Sequence, residues 1–183
     1  MDHYLMTNPL CGLYITEDTH GICAGFATIG ALGMSGWVCE IGSDTTHPYA
    51  SIDKILHLLF VASAQKIIIG ASSLALYETI KHHFESFEVV FESAHMTATE
   101  QNDLFETVFS LRSLLSPIDH LSLEDSPYAT MALSYVSLHV RDSHFLPFVA
   151  PTVLRMNGLL QMGNNPLQQL EMVSHDAREP SIA

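Results

Sequence analysis

The sequence is poor in positive charge. Of 183 residues, seven are Lys or Arg against twenty Asp or Glu, a formal charge of −13. Nucleic-acid binding depends on Lys and Arg neutralising phosphates. The seven basic residues are scattered from Lys54 to Arg178 and form no patch. That argues against autonomous DNA or RNA binding and disfavours an anionic membrane surface. Cysteine is scarce as well. Cys11, Cys23 and Cys39 have no C-x-x-C spacing, an odd set that fits a reduced, intracellular compartment better than a disulfide framework. No basic n-region with an apolar h-region opens the chain, so no secretory leader is expected.

Several catalytic signatures are missing too. There is no G-x-x-x-x-G-K-[ST] loop and no G-x-S-x-G elbow, so neither a phosphate cradle nor an activated serine is expected. Gly30, Gly33 and Gly36 are spaced G-x-x-G-x-x-G, but at a hairpin tip rather than between a strand and a helix, where phosphate binding needs them. The three cysteines lie in apolar strand contexts, where a thiol packs as a small hydrophobe. Eleven histidines (3, 20, 47, 57, 82, 83, 95, 120, 139, 144 and 175) show none of the H-x-x-x-H or H-E-x-x-H spacings of zinc sites. His82 and His83 are neighbours on a predicted helix, where successive side chains diverge by about 100°. Glu17, Asp18, Glu40 and Asp44 could pair for metal chemistry, yet they fall at strand ends and in loops. No carboxylate lies within Ile22 to Ile29, a strand position where a metal nuclease could hold its ion. No catalytic, cofactor-binding or metal-ligating residue is assigned.

What is present is apolar. Hydrophobic residues make up 48% and charged ones 15%, enough for a real core at a length that suits one domain, or one and part of another. Gly21 to Cys39 carries no charge and approaches membrane-spanning length. Its five glycines would each cost a helix roughly 1 kcal/mol, and acidic residues flank it. It reads instead as two strands, Ile22–Ile29 and Met34–Ile41, joined by a turn.

Leu10–Ile15 is the strand before them. Ser51 opens a predicted helix to about Ser63, with Ile52, Ile55, Leu56, Leu59 and Phe60 on one face. Lys66–Ile69 is a short strand. Ser72 or Ser73 caps a helix with Leu76, Tyr77, Ile80 and Phe84 inward, and Phe87–Phe91 is a strand. Thr97 and Glu100 are spaced as a capping box, before a helix presenting Leu104, Phe105, Val108, Phe109 and Leu115. The result is β-β-β-α-β-α-β-α, an α/β layer with helices on a mixed sheet. Pro117 marks a break. Ser126 and Pro127 are N-cap and N1 of another helix, lined by Met131, Ala132, Tyr135, Val136 and His139. Asn165-Pro166 opens a short helix through Leu170.

Asn8-Pro9-Leu10-Cys11-Gly12-Leu13-Tyr14-Ile15, followed by Gly21 to Thr28, resembles the first two strands of the connector domain of MutS mismatch-repair proteins. Met34–Ile41 is similar to that domain's third strand, and the Ser51 helix followed by Lys66–Ile69 to its next step. Tyr128–Val136 resembles the helix that opens the family's core domain, and Gln161–Met172 a later landmark helix. The likeness covers nearly the whole chain.

It implies an RNase H-like connector over residues 1–116. The start of an incomplete helical core or lever domain would follow over 117–183, leaving apolar surface at Met131, Tyr135 and Leu159 without partners. It further implies a relay between mismatch-reading and ATPase parts that offers a protein-interaction surface. The partners implied are other MutS domains or subunits and a MutL-like repair protein. The F-x-E mismatch-reading motif and the Walker A loop are absent, so the resemblance implies a fragment with no catalysis of its own. DNA, ATP and Mg would be handled only by other parts of a full-length relative. Two other readings remain open at this stage. One is an RNase H-like metal nuclease using Glu40, Asp44 and Glu78. The other is a small protein anchored in a membrane by Gly21–Cys39.

Overall fold

A computed structural model describes residues 9–30, 35–42, 47, 49–93, 95–142 and 146–155. Three strands come first: β1 (Leu10–Asp18), β2 (Gly21–Ile29) and β3 (Trp37–Ile41). β1–β2 and β2–β3 pair antiparallel, with Leu13 opposite Phe26 and Phe26 opposite Cys39. The charge-free run therefore contributes two strands, and among the described residues no helix is long and apolar enough to cross a membrane. Helix α1 (Ala50–Val61) leads to β4 (Lys66–Ala71). Helix α2 (Leu74–Ile80) continues into a 3-10 turn, Lys81–Phe84, and then β5 (Glu88–Glu92). Both β4 and β5 run parallel to β1.

The local signals explain these elements. The Ser73 hydroxyl accepts from the Leu76 amide at 3.1 Å and opens α2. The capping box opens α3 (Ala98–Phe109): the Thr97 hydroxyl accepts from the Glu100 amide, and the Glu100 carboxylate accepts from the Thr97 amide at 2.7 Å. Ser110 ends α3 in the left-handed region, φ 49°, a position more often given to glycine. Ser51 caps nothing. It lies inside α1, fully buried, and Tyr49 occupies the N-cap position without a side-chain bond. Leu115, expected inward, is exposed beyond the end of α3.

The chain after Ser116 was expected to open a separate helical core. Its described part returns to the same sheet. A short helix α4 (Pro117–His120) precedes α5 (Pro127–Val140), and α5 packs across β1 and β2. β6 (Thr152–Leu154) then pairs parallel with β3, giving one six-stranded sheet in the order β5-β4-β1-β2-β3-β6. Bonds from the Thr152 amide to the Gly36 carbonyl (2.9 Å) and from the Phe148 amide to the Val108 carbonyl (2.8 Å) tie this return in place. Met131 and Tyr135 are accordingly buried, not exposed. Leu159 and the Asn165–Leu170 helix lie outside the described residues.

The two faces of the sheet carry separate cores. Cys11, Leu13, Ile15, Phe26, Ile67 and Ile69 meet α1 and α2. Ala27, Ile29 and Val38 meet α3 and α5 on the other face. α5 is covered on nearly every side, buried from Ala129 through Ser137, because it lies between the sheet and α3.

Glycines set its distance from the sheet. A Cβ on Gly12 would overlap Val136 and the Ala132 carbonyl, one on Gly25 the Tyr128 carbonyl, and one on Gly70 the Tyr135 ring. Gly25 and Gly70 are the strand neighbours of Tyr14 on either side. Gly25→Ala should therefore cost about 3 kcal/mol by forcing α5 off the sheet. Gly42→Ala, whose Cβ would meet nothing within 4 Å, should stay within about 0.5 kcal/mol of the wild type. Urea unfolding of the two variants measures the contrast.

Candidate functional site

The sheet does not bring the expected carboxylates together. Glu40 follows Val38 by two residues on β3 and so faces α5. Glu78 is on α2, which covers the opposite face, and it pairs with Lys81. Glu17 and Asp18 sit at the end of β1, where the Asp18 carboxylate accepts from the His20 amide at 2.7 Å and the Cys23 thiol at 3.2 Å. Asp44 lies outside the described residues. A metal bridged by Glu40 and Glu78 would have to reach through the sheet.

His82 and His83 are closer than their helical spacing predicted. They fall in the 3-10 turn, Lys81–Phe84, with ring centroids 3.9 Å apart. His139 on α5 faces Glu92 of β5 at 3.8 Å. His3, His144 and His175 lie outside the described residues. Among the described residues, no three His, Cys, Asp or Glu side chains converge as metal ligands. Gly36 is a close-approach glycine, its absent Cβ replaced by the Thr28 carbonyl of the neighbouring strand.

The geometry concentrates polar groups instead where α5 starts on the sheet. Ser126 holds the N-cap position but makes no cap bond. The Glu40 carboxylate lies against that turn from the sheet, where the Tyr128 and Ala129 amides and the Ser126 hydroxyl favour its charged form, while its Oε2 is buried without a hydrogen-bond partner. Pro127 has no amide to offer, so these two are the free donors of the first turn. The helix dipole favours a negative charge at this point. Burial opposes it and prevails, lifting the Glu40 carboxyl above the usual carboxylate range.

Beside Glu40 lies a group of tyrosines. Tyr14 on β1 is 6.2 Å, centroid to centroid, from both Tyr128 and Tyr135 on α5. Burial raises the phenols of Tyr14 and Tyr135, so neither is an acid or base near neutral pH. The arrangement is a joint between helix and sheet. Sequence reasoning missed it, although glycines inside strands were the available signal: they mark close backbone approach.

Cys11, Cys23 and Cys39 are buried thiols, none of them in a disulfide. Burial pushes the Cys11 and Cys39 thiols up to about 12, which removes the thiolate that nucleophilic chemistry requires. One open hollow, lined by Glu17, Gly21, Ile22, Tyr49, Ser73 and Leu76, lies at the carboxyl end of β1. It holds no basic side chain to take a phosphate. In the comparisons with known proteins, no family matches the chain, and no curated protein matches it.

Two outcomes follow for this joint. Glu40→Ala should destabilise by about 1 kcal/mol through loss of the negative group at the start of α5. Glu40→Gln keeps an acceptor and removes the buried charge, so it should be at least as stable as wild type at pH 7. Because the native carboxyl is raised, the native state holds its proton more tightly, and the wild type should close that gap as pH falls toward 4.5. Chemical denaturation of both variants at several pH values reads this directly. Cys11 and Cys39 should resist an aromatic disulfide reagent at pH 8 in the native protein and react in urea, as peptide mass spectrometry would show. Their raised native pKa also means that stability falls as pH climbs from about 9 toward 12.

Proposed function

We propose that this chain is a MutS-like connector, an RNase H-like domain that works by docking and by passing position between its neighbours rather than by catalysis. The observation that carries the reading is the strand order β5-β4-β1-β2-β3, in which β2 alone runs against the others. That order supports an RNase H-like reading, and it adds to the segment order that resembles the MutS connector. β6 is an addition at its edge. In this reading α5 corresponds to the helix that leads into the family's core domain.

The joint beneath α5 suits a relay. A helix resting on glycine backbone has little room to slide, because interiors are close-packed. Glu40 sits against its first turn from below. A push on either end of α5 therefore moves the sheet with it. Mismatch reading and ATP hydrolysis belong, in this proposal, to other domains. The residues described here offer no glycine-rich turn into a helix with a lysine, so no step of ATP chemistry is assigned to them. The acidic charge fits the same division, since phosphate gripping is left to other parts.

A purified MutL-family protein immobilised on a biosensor tests the reading. The chain should bind it saturably with micromolar affinity, without DNA. Failure to bind would contradict the docking role. In parallel, the chain should neither shift nor cut single-stranded DNA, duplex DNA or an RNA–DNA hybrid in magnesium or manganese at physiological salt. Cleavage lost in Glu40→Gln would replace the connector by a metal nuclease.

A further inference from the structure

The outer edge of β5 pairs with no strand among the described residues. Its geometry is defined by one bond: the Glu88 amide donates to the Gln65 carbonyl at 2.9 Å. Glu88, Val90 and Glu92 thus aim their backbone groups at β4, and Val89 and Phe91 aim theirs outward. Side chains alternate in step. Val90 packs under α5 with Ile68, and Val89 and Phe91 lie on the α2 face, Phe91 stacked on Tyr77 at 4.2 Å. The strand is short and half-buried, with a carboxylate at each end about 13 Å apart.

An exposed edge is a template for another strand. Charge decides which. A second copy pairing about a two-fold axis at Val90 would place Glu88 opposite Glu92 at both ends, and like charges directly opposite destabilise a pair. Lys66, which pairs with Glu88, belongs to β4, and His139, which faces Glu92 from α5, is held toward its neutral form by burial. Nothing basic lies on β5 itself.

The geometry points to the β5 edge as a docking strand for an extended segment of a partner protein, one with basic residues flanking an apolar centre. The incoming strand takes main-chain bonds from Val89 and Phe91. It sets a Lys or Arg against Glu88 and another against Glu92, with apolar side chains between. This inference does not rest on the mismatch-repair reading, and its failure leaves that reading intact.

The probe is a blocked peptide, Arg-Lys-Val-Tyr-Val-Lys-Arg, titrated into the full chain by fluorescence anisotropy, beside a peptide with every basic residue replaced by Glu. The basic peptide should bind, the acidic one should not, and added salt should weaken the complex. Val89→Pro deletes one outward amide and leaves the β4 ladder intact. It should lower affinity about tenfold while circular dichroism stays native. Glu88→Gln and Glu92→Gln should each lower it about threefold. No binding by the basic peptide, or equal binding by both peptides, overturns the proposal. So does full affinity in a folded Val89→Pro protein. If that variant unfolds, unchanged affinity in the two Gln variants overturns it instead. A sedimenting dimer of the wild type that dissociates in Glu88→Lys would also overturn it, giving the edge to a second copy.

Discussion

The close seating of α5 on the sheet is the constraint from which the rest follows. Gly12, Gly25 and Gly70 lie on three adjacent strands and remove the side chains that would otherwise hold a helix away. Glycine weakens a strand, so each position gives up local stability. What is gained is backbone-to-helix contact, with Ala132 and Val136 against β1 and Tyr135 over β4. The helix in turn is roofed by α3, through Leu104, Phe105 and Val108. One element thus joins the sheet to its second layer.

Electrostatics follow from the same arrangement. A helix start pressed against a sheet hides its first amides from water, and they need an acceptor. Glu40 places a carboxylate beside them from β3. The buried thiols and phenols next to the two cores are likewise held neutral.

Much of the fold was legible in the sequence where a signal is local. The Thr97–Glu100 box, the i, i+3, i+4 spacing from Ile52 to Leu59, and the glycine-rich run before Cys39 each specify their element through bonds or faces a few residues apart. The relation of α5 to the sheet was not legible that way. Met131, Tyr135 and Val136 reveal an apolar helix, but not which surface covers it. Pro117 breaks the chain without ending the core. β6 has three residues, too few for a period-two pattern. Glu40 reads as an ordinary strand-end carboxylate until α5 is placed above it. The deciding signal was present in Gly12, Gly25 and Gly70, whose meaning depends on strands far apart in sequence.

Native-state hydrogen exchange tests most directly whether helix and sheet act as one body. If they do, the amides of α5 and those of β1, β2 and β4 open together, at the free energy of global unfolding. Exchange of the α5 amides at a distinctly lower free energy, with the sheet still protected, would contradict the account.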